Sequence, residues 1–204
     1  MIGRKTTLAT SGLAAAMLLL SGCATGGGKS QAEIRRAAAG EAERAHHEMR
    51  RGELQAALRL LNATNYTSND DLGRARTVMK AEVVLGLGNP DEALGLIASL
   101  GANAEGDPRA AEVKGKALMA TGEFGEAQGL FAKARGLYAL DDDRRRVHDM
   151  AIIADGLGHY ARGDKPRAAE TFTSIINRDL RAKILGEMDS LSKADITLIA
   201  LSGS

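Results

Sequence analysis

Between residues 31 and 177 apolar side chains recur at helical spacing, in stripes separated by short polar breakers, and no segment alternates with period two. The pattern predicts helices and no sheet. Within it one register recurs four times. A glycine is followed five residues later by an alanine that opens an apolar stripe, at Gly52/Ala57, Gly88/Ala93, Gly122/Ala127 and Gly163/Ala168. Bulky apolar groups stand three or four residues beyond each alanine: Leu60 and Leu61, Leu96 and Ile97, Leu130 and Phe131, then Phe172. The glycines lie 36, 34 and 41 residues apart, and the middle value is the length of a helix-turn-helix repeat. One such unit cannot bury its own apolar face. Stacked units bury it against one another and present a curved surface able to hold another protein.

The breakers carry helix-start chemistry. Asn89-Pro90-Asp91-Glu92 offers an Asn N-cap, a proline at the first helical position and two carboxylates facing the positive helix end. Asp107-Pro108 repeats the cap and proline, and 164–166 is a looser version. Asp141, Asp142 and Asp143 suit a helix start, and Gly163 can close that helix in the left-handed conformation. The polar stretch 65–71 separates the first pair from the second. Residues 180–201 read as one helix followed by a short apolar tail at 196–201, which caps the open end of the stack.

The chain has 204 residues, 44% hydrophobic and 26% charged, which suits one medium domain. A net charge of +1, the absence of Trp and only six Tyr and Phe together speak against nucleic acid as a partner. The amino terminus changes the picture. Arg4 and Lys5 precede an apolar run that thickens over 13–20 and ends in Ser21, Gly22 and Cys23, the order of a secretory signal and too short for a good membrane span. Leu20-Ser21-Gly22-Cys23 resembles the bacterial lipobox. That resemblance implies a signal peptide at 1–22, acylation of Cys23, and a lipid anchor; Ala24 in place of an aspartate implies the outer membrane, periplasmic face. Residues 23–30, with Gly26, Gly27 and Gly28, form an acylated flexible tether. With its single cysteine acylated the chain holds no disulfide, so packing alone must stabilise it.

The repeated units resemble tetratricopeptide repeats. Their pattern has a small residue seven before the turn glycine, here Ala45, Ala81, Gly115 and Gly156, the alanine five after it and a large apolar residue beyond. Glu53, Glu123 and Asp164 follow three of the glycines as that family prefers. The departures are Arg44, Lys80, Lys114 and Asp155 at the family's leucine position, the missing tryptophan, and a third-to-fourth linker seven residues long. The resemblance implies an all-α fold, a right-handed α-α superhelix of about four helix-turn-helix repeats. The repeat domain is 31–182, with units near 38–71, 74–107, 108–141 and 149–182, and the C-terminal cap and tail is 183–204. In the family the first helix of each unit lines the concave face. Carried over, its positions are His46, Met49 and Arg50; Val78, Glu82 and Leu85; Arg109, Glu112, Lys116 and Met119; Ile153, Leu157 and Tyr160. Such a groove suits an amphipathic helix or an extended segment.

Other chemistry finds little support. Gly28-Lys29-Ser30 lacks the earlier glycine and the strand of a phosphate loop. His46 and His47 point about 100° apart on a helix, and no metal-binding pair at helical spacing occurs. His159 shares a stripe with Ile152 and Gly156, a buried core position. The run 141–146 reads as a helix start followed by solvated arginines. The resemblance to the bacterial lipobox implies that two Asn-x-Thr sequons, at Asn62 and Asn65, are bystanders. No catalytic set, metal site or cofactor is expected. The chain reads as a non-enzymatic, lipid-anchored scaffold for envelope proteins, resembling assembly factors of pili and the pilotins of secretins. The alternatives are a component of the outer-membrane β-barrel assembly machine and a lipoprotein regulator of a peptidoglycan enzyme.

Overall fold

A computed structural model describes residues 29–104 and 106–202. The signal peptide, Cys23 and the glycines of the tether lie outside them. The described residues are all-α. Ten helices follow in chain order: α1 Gln31–Arg50, α2 Leu54–Ala63, α3 Asp71–Gly86, α4 Pro90–Ser99, α5 Pro108–Thr121, α6 Phe124–Leu137, α7 Asp141–Ala161, α8 Lys165–Phe172, α9 Arg178–Glu187 and α10 Lys193–Ser202, with a short 3₁₀ turn at Gly101–Ala104. None is long and apolar enough to cross a membrane.

The four glycine registers become four copies of one turn. Gly52, Gly88, Gly122 and Gly163 have φ of 79°, 84°, 90° and 82°, a region where a Cβ is penalised. In each, the glycine N–H donates three residues back, to the carbonyls of Met49, Leu85, Met119 and Tyr160. The next N–H, of Glu53, Asn89, Glu123 or Asp164, donates five back, to Glu48, Val84, Leu118 or His159. This is the Schellman closure, which satisfies the orphan carbonyls of one helix and launches the next antiparallel to it. Asn89, expected as the N-cap of α4, makes no side-chain cap hydrogen bond; its backbone N–H closes α3. Among the four equivalent residues only Asp164 caps, accepting from Arg167 N at 3.2 Å. Asp107 caps α5 as expected, accepting from Arg109 N at 2.8 Å and Ala110 N at 3.2 Å.

Within each pair the small positions are where helices approach. Ala45 and Ala81 are fully buried, as are Ala57, Ala93, Ala127 and Ala168. A Cβ on Gly115 would stand 2.9 Å from Phe131 Cε1, and one on Gly156 only 2.2 Å from Phe172 Cε1. Consecutive pairs pack in chain order, α2 on α3, α4 on α5 and α6 on α7, with α1 on α3 and α3 on α5 beneath. Of the charged residues at the family's leucine position, Arg44 and Lys114 face solvent, while Lys80 and Asp155 are half-buried.

Two segments differ from the sequence reading. The seven extra residues before the fourth glycine form no linker: α7 has 21 residues where α5 has 14. Arg144, Arg145 and Arg146 pair three residues back with Asp141, Asp142 and Asp143, so the run is two helical turns with acids at its positive end. The apolar tail is also helical. Ser192 and Asp195 close a reciprocal cap, with Ser192 N donating to Asp195 Oδ2 at 2.8 Å and Asp195 N to Ser192 Oγ at 3.2 Å, and α10 starts there. α9 packs on α8, but α10 turns back across α7 and α5.

Candidate functional site

Seven of the expected groove positions meet around one depression of about 310 Å³: His46, Met49, Arg50, Glu82, Leu85, Arg109 and Lys116. They come from α1, α3 and α5, the first helix of three successive pairs. Leu54, Gly86 and Leu201 complete the lining. Leu85, Gly86 and Leu201 also border a larger, mainly apolar depression of about 630 Å³. Met119 and Phe124 line it from below, and Thr197 and Leu198 of α10 form one wall. The two form one groove along the first helices, crossed at one end by α10.

The electrostatics are mostly settled within the chain. Arg109 Nη2 donates to Glu82 Oε2 at 2.7 Å across α5 and α3. Lys116 Nζ lies 3.0 Å from Glu112 Oε1, four residues before it on the same helix. His46 and Arg50 are exposed on the rim. The groove floor is thus apolar, with cations of α1 and α5 around it and Glu82 as the acid among the residues that line it.

Of the remaining expected positions Met119 lines the larger depression, while Val78, Glu112, Ile153, Leu157 and Tyr160 line neither. Val78 belongs to the core between α3, α4 and α5. Ile153 and Leu157 are fully buried in a cluster that includes Ile196 and Ala200, because α10 covers that part of α7. Glu112 turns beneath its own helix. Its carboxylate takes a hydrogen bond from Tyr138 Oη at 2.6 Å, another from Arg146 on the extended start of α7, and the charge of Lys116. Burial pushes its carboxyl up, but Lys116, Tyr138 and Arg146 outweigh that and hold it below the ordinary value. Burial and the bond to Glu112 push the Tyr138 phenol up. Arg146 is therefore a strut between pairs rather than a solvated side chain. Tyr160 is half-buried, donates from Oη to the Leu191 carbonyl at 2.8 Å and lies under the Lys165 ammonium.

Sequence reasoning missed Phe124, Lys193, Leu198 and Leu201 as lining residues. The signal was present at Ser192 and Asp195, whose spacing marks a helix start just ahead of an apolar run. Other motifs fall into structural roles. Ser30 and Glu33 form a capping box for α1, which accounts for Ser30 without a phosphate. His159 is mostly buried, near Asp155 and within 3.1 Å of an Arg162 nitrogen. Among the described residues no group of three His, Cys, Asp or Glu is placed to hold a metal ion. No protein-family model, curated protein or solved structure matches the chain.

Proposed function

We propose that the chain is a tetratricopeptide-like lipoprotein, a right-handed α-α superhelix held at the outer membrane by acylated Cys23. In this reading it captures segments of envelope proteins as an assembly factor for a pilus or secretion system. The supporting observation is the depression shared by the first helices of three pairs that repeat one turn geometry. An apolar floor with a charged rim is the composition of a recognition groove rather than of a reaction centre.

The anchor is tested by Cys23→Ser, which is expected to move the protein from the outer-membrane to the soluble periplasmic fraction and to remove the mass of the acyl chains. An unchanged membrane pellet and an unchanged mass would end the lipoprotein reading.

The groove is tested on its rim. Lys116 is tied to Glu112 and Arg109 to Glu82, so reversing either charge would disturb packing as well as recognition. His46→Glu with Arg50→Glu avoids that, since both are exposed and surface changes move stability by only about 0.5 kcal/mol. Recovery of secretin and pilus subunits from solubilised envelopes is expected to fall about tenfold, with melting unchanged. Arg145→Glu, on the exposed side of α7, is the matched control. Equal recovery by the rim variant and the native chain would move the binding surface elsewhere.

A further inference from the structure

α10 occupies the fourth-unit end of the groove that the first helices define. It packs across α7 and α5, and its Ile196 and Ala200 share a core with Met119, Ile153 and Leu157. Its direction is set: Leu201, near its carboxy-terminal end, lines the depression that holds His46, Arg50, Arg109 and Lys116. A helix carries partial negative charge at that end, so α10 aims its negative pole at a depression where Arg109 is paired with Glu82 and Lys116 with Glu112, and where Arg50 is an exposed cation. Groove and helix are complementary in apolarity, and Arg50 supplies the complementary charge.

α10 packs on α5, α7 and α9 with Ile196, Thr197 and Ala200 buried. Tyr160 Oη donates to the Leu191 carbonyl in the turn before it, and the Lys193 ammonium rests 5.9 Å from the centre of the Phe124 ring. The exposed positions of α10 are Lys193, Ala194, Asp195, Leu198 and Ser202. Leu198 is 67% exposed beside the larger depression, where an apolar helix would ordinarily be covered. Unlike α1 to α8, α10 has no partner across a glycine turn, and the short segment from Met188 to Ser192 joins it to α9.

We propose that α10 is a resident ligand of the groove, displaced by a partner helix of the same character: apolar on its seated face, with its carboxy-terminal end toward His46 and Arg50. The proposal rests on the groove being the recognition surface and adds what the partner looks like and what it must displace. The partner's apparent affinity is then reduced by the fraction of time α10 is seated, about 10- to 100-fold for a helix seated about 90–99% of the time.

The probe is a fluorescent synthetic peptide spanning residues 189–204, titrated into the full-length mature chain. The native chain is expected to bind it weakly. Ile196→Asp, which places a charge at a fully buried position of α10 itself, is expected to bind it about tenfold or more tightly, and Arg50→Glu added to that variant to weaken it again. Tyr160→Phe is expected to fall between native and Ile196→Asp. A folded Ile196→Asp chain that binds the peptide no better than the native one would overturn the proposal. Should Ile196→Asp melt the stack, hydrogen exchange on the native chain decides: α10 amides are expected to exchange about 100-fold faster than those of α5 and α7, and equal protection would make α10 ordinary core. Peptide binding with envelope capture indifferent to His46→Glu and Arg50→Glu would sink the functional reading alone. Rim-dependent capture without peptide binding would sink this inference alone.

Discussion

Gly156→Ala is expected to lower stability by about 2 kcal/mol, a melting point about 4–8 °C lower for a chain of this size. The added Cβ would stand 2.2, 2.7 and 2.8 Å from three atoms of the Phe172 ring. Phe172 is fully buried, so the ring has no free space to enter and α7 and α8 must separate. Overpacking of this kind costs about 1–3 kcal/mol, and the closeness here places it at the upper end. Alanine's better helix propensity offsets about 0.5–1 kcal/mol of that. Gly129→Ala isolates the propensity effect: Gly129 is exposed in α6 with nothing within 4 Å of its Cβ position, and its replacement should stabilise by about 0.5–1 kcal/mol. Urea melts of the two variants should therefore move in opposite directions. Phe172→Leu in the Gly156→Ala background should cost less than the two changes summed, because the smaller side chain yields the space the Cβ needs. Two variants moving together would mean that the small position is not a helix crossing.

The turns were readable because they depend on one residue each. A left-handed φ with a Schellman closure selects glycine, and the alanine five later is selected by a helix contact that admits no larger group, so both leave local traces at fixed spacing. The polar half of the groove was readable for a related reason. His46, Arg50, Glu82, Arg109 and Lys116 are residue types that seldom sit in a core, although the same expectation fails at Glu112, which is buried against Tyr138 and Arg146. The apolar half was not readable. Periodicity shows that Val78, Ile153 and Leu157 lie on an apolar face, but a face covered by the next helix and a face left open for a partner have the same period. What separates them is which later helix crosses that face, α4 and α5 over Val78 and α10 over Ile153 and Leu157, and that is set by long-range packing. The ends of α7 were legible, Asp141 to Asp143 as a helix start and Gly163 as its close; what was not legible is that the three arginines pair three residues back with those aspartates and that Arg146 also turns inward to Glu112.

Arg76→Met is expected to have the largest effect, about 3–5 kcal/mol. Arg76 is 5% exposed where α1, α2 and α3 meet. Its guanidinium donates to the carbonyls of Ala38 at 2.5 Å, Leu61 at 2.8 Å and Thr64 at 3.3 Å, and lies 3.6 Å from the Glu41 carboxylate. α2 is the second helix of its pair and ends at Thr64 in extended backbone, without the glycine closure of the first helices. Arg76 supplies the donors that its last carbonyls would otherwise lack. Burial pulls the guanidinium's pKa below its ordinary value and the charge of Glu41 pulls the other way, so the pair is a desolvated one. Methionine fills much of the space but leaves Glu41 buried without its cation and the α2 carbonyls without donors. Glu41→Gln in the Arg76→Met background should recover part of the loss, about 1–2 kcal/mol, because an amide is cheaper to bury than a carboxylate; the rest belongs to the carbonyls. Since Arg76 bridges the first pair to the second, the loss should appear as local opening. Amides of α1 and α2 should lose hydrogen-exchange protection while those of α5 to α8 keep theirs, with a first unfolding phase at lower urea. A uniform loss across the stack would show that the first pair is not held at this junction, and native-like stability would show that the carbonyls find other donors.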